Sequence, residues 1–219
     1  MEGRTGSRPA GLDRASVAAT ALALLDEVGL DGLTVRRLAA ELGVQSPALY
    51  WHFRNKQELL DLMAQELQVA MRTSSPRDDE SWPQWTARRA RERRQLLLSR
   101  RDGARLVAGT RPGPAIARQA EAELQPLVSA GFTPAQALRS ITAIGHYVTG
   151  FVMEEQSARR RPQPDLPTSP GSAIQNTPTL AAAIREGGPP ESNEAFEQGV
   201  AMLIDGMQAL LQRTASRQH

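Results

Sequence analysis

Apolar residues along this chain recur at steps of three and four, and no segment shows the two-residue alternation of a half-buried strand. The first such segment runs from Asp13, a good N-cap, through Val17, Ala21, Leu24, Leu25 and Val28 to Gly29, where a terminating glycine belongs. That predicts a helix of about four turns. Thr34 is placed to cap a second helix over 34–42, with Val35, Leu38 and Leu42 on one face and Gly43 ending it. A third, short helix is expected over 45–51, with Pro47 in its first turn, where a missing N–H costs nothing. Asn55 opens a fourth over 55–71. Its "NKQE" is a capping-box arrangement, and Leu59, Leu60, Leu62, Met63 and Leu67 continue it.

A polar break at 73–81 follows. Helical periodicity then returns over 82–101, 113–130, 134–158, 178–187 and 192–213, punctuated by "GTRPGP", "AGFTP" and "EGGPPES". The Pro/Ser-rich stretch 159–178 is expected to be a long mobile loop, and residues 1–11 a disordered basic tail. The fold class is therefore all-α: a small N-terminal bundle over 12–71 and a larger helical domain over 72–213.

Composition narrows the chemistry. The chain of 219 residues has no cysteine, which excludes disulfides, thiol catalysis and Cys-ligated metal. No apolar run approaches the ~20 residues of a membrane span, and no apolar stretch follows the basic N-terminus as in a signal peptide. A cytoplasmic, bacterial protein is the expectation. Net charge is only +2, and Lys56 is the only lysine among 26 basic residues. Such a bias reflects GC-rich coding, so the charge total does not argue for nucleic acid; its distribution must.

That distribution is informative at "VQSPALYWHFRNK", Val44 to Lys56. In a chain only 4% aromatic, it sets Tyr50, Trp51 and His52 side by side. Two short helices joined by "LGVQ" form a helix-turn-helix arrangement, whose second helix lies in the major groove of DNA. Ser46, Pro47 and Ala48 are small enough for close backbone approach. Tyr50, Trp51 and His52 offer flat rings with polar tips for the sugar-phosphate backbone or a thymine methyl. Arg36 can pair with guanine, and Lys56 can reach a phosphate. Leu49 and Phe53 are expected in the core; Trp51 fits either the core or the DNA face.

The run "LDGLTVRRLAAELGVQSPALYWHFRNKQELLD" resembles the DNA-binding domain of the tetracycline-repressor family of transcriptional regulators. The resemblance implies DNA contacts from Tyr50, Trp51, His52 and Lys56, with Arg36, Gln45, Ser46, Pro47 and Ala48 close to the bases. Ser46 and Ala48 stand where the family often carries a base-reading Gln or Thr, so a different operator is expected. "RRDGARLVAGTRP", "AGFTPAQALRSITAIGHYVTGFVMEEQ" and "EAFEQGVAMLIDGMQALL" are similar to the C-terminal domain of the family's tetracycline-binding members. This implies a homodimer through helices 134–158 and 192–213. Ala143, Ile144, Tyr147, Val148, Phe151, Val152, Phe196, Val200, Leu203, Ile204, Met207 and Leu211 are the expected interface, and a palindromic operator the expected target.

The resemblance also implies an inducer site at Arg72, Arg89, Arg93, Val107, Thr110, Arg111, Glu123, His146 and Glu154. Tetracycline-binding members hold a drug–magnesium chelate with a histidine where this chain has Val107 and a glutamate where it has Glu154. Val107 cannot bind metal, which argues against the chelate. Arg72, Arg89 and Arg93 replace a histidine, an asparagine and a phenylalanine, suggesting a small-molecule effector with acidic or phenolic, polyketide-like oxygens. Helix 55–71 is the natural lever between reading head and ligand. Glu154 alternatively pairs with a buried arginine, and the arginines of 87–94 must in part be solvated. No cofactor is implied. An enzyme finds no support: there is no nucleophile–base pair, phosphate loop or metal cluster. A helical scaffold protein, or an activator rather than a repressor, is the alternative.

Overall fold

The computed structural model describes residues 12–70, 75–110, 114–160 and 177–216. Among them ten helices and no strands occur, in the order α1 (Arg14–Gly32), α2 (Val35–Glu41), α3 (Ser46–Leu49), α4 (Lys56–Ala70), α5 (Trp82–Leu98), α6 (Gly103–Ala108), α7 (Pro114–Ser129), α8 (Pro134–Arg160), α9 (Pro178–Gly187) and α10 (Asn193–Ser216). The 1–11 tail and most of the 159–178 loop fall outside the described residues.

Side-chain caps set the early boundaries. Asp13 Oδ1 accepts the Ser16 N–H at 2.7 Å, and Ser16 Oγ accepts the Asp13 N–H at 3.1 Å, a reciprocal box at the head of α1. Thr34 Oγ1 accepts the Arg37 N–H, and Asn55 Oδ1 the Glu58 N–H. The Glu58 carboxylate reaches back to the Arg54 N–H at 2.7 Å, one residue before the expected partner. Between α2 and α3 the chain turns at Gly43, whose φ of +66° lies in the left-handed region. There the Val44 N–H bonds the Ala39 carbonyl and the Gly43 N–H that of Ala40, a Schellman closure.

Two hydrophobic clusters organise the chain. Helices α1 to α4 enclose Leu25, Leu33, Leu38, Leu49, Phe53, Leu59 and Met63, each at most 1% exposed. The second cluster gathers Trp85, Leu97, Leu127, Phe132, Val148, Val152, Phe196 and Val200 from α5, α7, α8 and α10 with the turn after α7. A helix that the periodicity did not announce, α6, joins them: Leu106 is buried in the first cluster, Ala104 in the second, and Val107 packs against both.

The join is polar as well. Chain direction changes at Asp102, whose φ is +58°. Its buried carboxylate accepts the Leu30 N–H at 2.9 Å just past the kink of α1 at Gly29, and pairs with Arg105 and Arg160. Burial alone would raise its pKa, but the Leu30 N–H and the two guanidiniums hold it below the usual carboxylate range. Gln156 of α8 donates from Nε2 to the carbonyls of Leu97 and Arg100, at 3.1 and 2.9 Å, and accepts the Ala104 N–H at 3.4 Å. One side chain thus closes the end of α5 and the start of α6.

The expected dimer residues need correcting. Ile144, Val148, Val152, Phe196, Val200, Ile204 and Met207 are buried within this chain's own second cluster, with Tyr147, Phe151, Leu203 and Leu211 packed against it. Of the expected set only Ala143 is exposed. The outer faces of α8 and α10 instead present Leu138, Met153 and Met202, at 51%, 38% and 67% exposure.

Candidate nucleic-acid interface and cavity

The reading segment is shorter than the sequence suggests. Helix α3 is a single turn, and Tyr50, Trp51 and His52 follow it in a turn closed by the His52 and Phe53 N–H groups on the Leu49 carbonyl. Leu49 and Phe53 are buried, as expected. Trp51 is 91% exposed, so of its two readings the core one falls. Tyr50 is half exposed, its ring tilted against Phe53 at 6.2 Å. An indole held in water has no packing reason to be there. Arg36, Gln45, Pro47 and Lys56 are exposed, and Ser46, Ala48 and His52 partly so. Apart from Arg36, which lies on the helix packed against α3, they fall within residues 45–56, from the start of α3 to the start of α4.

The second site is a cavity of about 270 Å³ among α4, α5, α7 and α8. Its lining includes Gln68 of α4; Trp85, Thr86, Arg89, Ala90 and Arg93 of α5; Gln119, Ala120 and Glu123 of α7; and Ile141, Ile144 and His146 of α8. Arg89, Arg93, Glu123 and His146 were expected there. His146 is exposed at the rim. Arg72 and Arg111 lie outside the described residues. Three further expected residues do not line this cavity. Val107 lies near the end of α6 and packs against both clusters, and Thr110 follows the helix, its Oγ1 donating to the Val107 carbonyl. Neither lines the cavity. Glu154 is exposed and also away from it; its neighbour Glu155 pairs with Arg94 and Arg159.

The residues missed were partly legible. Trp85, Arg89 and Arg93 stand four apart, as do Gln119 and Glu123, so each set shares a helix face. Gln68 and the α8 residues carried no such signal.

The arginines of α5 divide sharply. Arg88 pairs with Glu80 and Glu92, Arg91 with Glu197, and Arg94 with Glu155. Arg89, 8% exposed, pairs with Glu123 through Nη2, while Nη1 is buried without a partner. Arg93 reaches only the Thr149 hydroxyl, at 3.4 Å, and its Nε is buried and unpartnered. Burial pushes both guanidinium pKa values down, though arginine stays charged.

An exposed helix-turn-helix on one core and a largely apolar cavity with a few charged side chains in another define a DNA-binding regulator with room for a small molecule. Comparison with known proteins gives the family. Residues 17–63 match the model of the tetR family of bacterial regulatory proteins, and residues 75–211 that of the tetracyclin repressor-like C-terminal domain. The chain belongs to this family. It is 45% identical over 198 residues, 88% of each chain, to the tetracycline repressor protein class A from transposon 1721 of Escherichia coli. Among solved structures, class A TetR in complex with 5a,6-anhydrotetracycline and magnesium matches with a TM-score of 0.66 at 39% identity, covering 90% of this chain and 99% of that one. Apo ActR from Streptomyces coelicolor matches with a TM-score of 0.80 at 27% identity, covering 94% and 100%.

Proposed function

We propose that this protein is a homodimeric transcriptional repressor that holds a palindromic operator through its helix-turn-helix and releases it when a small molecule fills the cavity. The observation that carries the reading is α4. This helix begins at Lys56, beside the exposed Tyr50–His52 turn, and reaches the cavity wall with Gln68. A ligand that prefers one setting of that helix shifts the population of reading-head positions and so changes DNA affinity. The outer faces of α8 and α10, with Leu138, Met153 and Met202 in water, are the surfaces for the second subunit. Two subunits then present two reading turns to half-sites about one helical turn apart.

The effector is not the magnesium chelate of the class A relative. Val107 offers only methyl groups where the resemblance places a metal-ligating histidine, and Glu154 is exposed and does not line this cavity. Regulation rather than catalysis, in the bacterial cytoplasm, follows from the same reading.

The test is a selection of bound duplexes from a random library with the purified chain and with Tyr50→Ala. Enrichment of a palindrome that the variant loses is the expected result. No enrichment, or enrichment indifferent to Tyr50, overturns the proposal in favour of a helical scaffold protein.

A further inference from the structure

Resting on the reading of the cavity as an effector site, we infer that its ligand is a flat apolar molecule bearing a single acidic oxygen group, which pairs with the guanidinium of Arg93. Three charged side chains line the cavity beside the rim histidine: Arg89, Arg93 and Glu123. Glu123 is already engaged by Arg89 Nη2 and by Gln119 Nε2 at 3.1 Å. The three charges sum to one uncompensated positive charge, and it resides on Arg93, which has no carboxylate partner among the described residues.

A buried guanidinium with unmet N–H groups destabilises a fold unless something supplies acceptors. Every other guanidinium of α5 has a carboxylate, so the omission at Arg93 is specific to the cavity. Carboxylate and phenolate oxygens are acceptors that match the guanidinium's fixed donors. Trp85, Ala90, Ile141 and Ile144 make the apolar part of a wall that also carries Gln68, Thr86 and Gln119, and this apolar part suits an aromatic body better than a sugar or a polyamine. A dianion would leave one charge unpaired in the cavity, and a cation would face Arg93 directly.

The experiment uses 2-naphthoate and 2-naphthamide, which share a flat body and differ in charge, titrated calorimetrically into the full-length protein. Naphthoate is expected to bind at least about ten-fold tighter, the difference made by a hydrogen bond to a charged group. Arg93→Met should erase that preference while melting no lower than the parent, because it removes an unpaired buried charge. Arg91→Met, at the exposed pair with Glu197, should leave the preference intact. Should Arg93→Met not fold, Arg93→Gln removes the charge and keeps a polar group. Equal affinity for the two probes, binding of neither, or a preference that survives loss of the Arg93 charge overturns the inference. The selected operator duplex, bound by the same samples, separates the two failures. Operator binding without anion preference leaves the regulator standing and the ligand class wrong. Absence of operator binding removes the regulator whatever the probes do.

Discussion

Replacing Gln156 with leucine tests whether the joint between the two cores is held as the geometry says. The amide of Gln156 is buried and makes three hydrogen bonds: to the carbonyls of Leu97 and Arg100, and from the Ala104 N–H. Leucine fills nearly the same volume but leaves all three backbone groups without that partner. At about 1 kcal/mol for each bond, less for the 3.4 Å one, the loss is about 2–3 kcal/mol. For a chain of this size that is about 5–10 °C in Tm. Urea unfolding followed by circular dichroism measures it directly. Because the freed groups belong to the α5–α6 turn, amide exchange should quicken at Gly103–Ala108 more than in α1. A loss below about 1 kcal/mol would refute the reasoning, since it would mean that water or a backbone shift satisfies these groups without the amide. An equal rise of exchange in both cores would refute the assignment of Gln156 to the joint.

Trp51→Ala should leave Tm unchanged, within about 0.5 kcal/mol, because the indole packs on little; gel-shift affinity for the selected operator should nevertheless fall. Gly29→Ala places a methyl in a left-handed backbone position, 3.0 Å from both Arg101 Nε and Asp102 Oδ2, and should cost about 1–3 kcal/mol in urea unfolding. Arg88 holds the Glu80 carboxyl down at about 2, with the Arg77 N–H adding to the effect. A depressed acid gives stability that is whole above the ordinary carboxylate range and is lost as pH falls toward 2. Glu80→Gln should therefore lower stability at neutral pH and flatten the decline between about pH 4.5 and 2, measured by thermal melts across that range.

Local chemistry made much of the fold legible. Asp13, Thr34 and Asn55 cap through their own side chains, and a cap needs only neighbours in the chain. The helix-turn-helix was legible for the same reason: a glycine turn, small residues and an aromatic run within thirteen positions. What escaped depended on distant partners. Helix α6 has six residues and too little periodicity to announce itself; Gln156, Leu30 and Arg160, all remote in sequence, hold its start. The resemblance implied a dimer seam on α8 and α10, and their apolar faces fitted it; periodicity reveals that a face is buried, not by which chain. Glu154 was expected at the inducer site from the resemblance, with a buried arginine as its alternative partner; the glutamate that meets a half-buried arginine, Arg94, is Glu155, about 100° further round the helix.

The division of labour along α5 connects these features. One helix carries arginines on several faces, and each face has a different neighbour. Arg88 is tied to the segment that leads into the helix, Arg91 and Arg94 to α10 and α8, and Arg89 and Arg93 to the cavity. The end of the same helix is closed by Gln156 and followed by Arg100, which pairs with Asp26 of α1, and by Asp102, which accepts from Leu30. A change in where Arg93 finds its acceptor therefore bears on a rigid element whose far end is bonded to the helix bundle of the reading head. The path needs no flexible relay: it is one helix, one buried amide and one buried carboxylate. A second path runs along α4 from Gln68 to Lys56. On the proposed function, two stiff elements reaching from one cavity to one reading head would let a ligand displace that head in a concerted way. Close-packed interfaces shift between discrete arrangements rather than deform continuously.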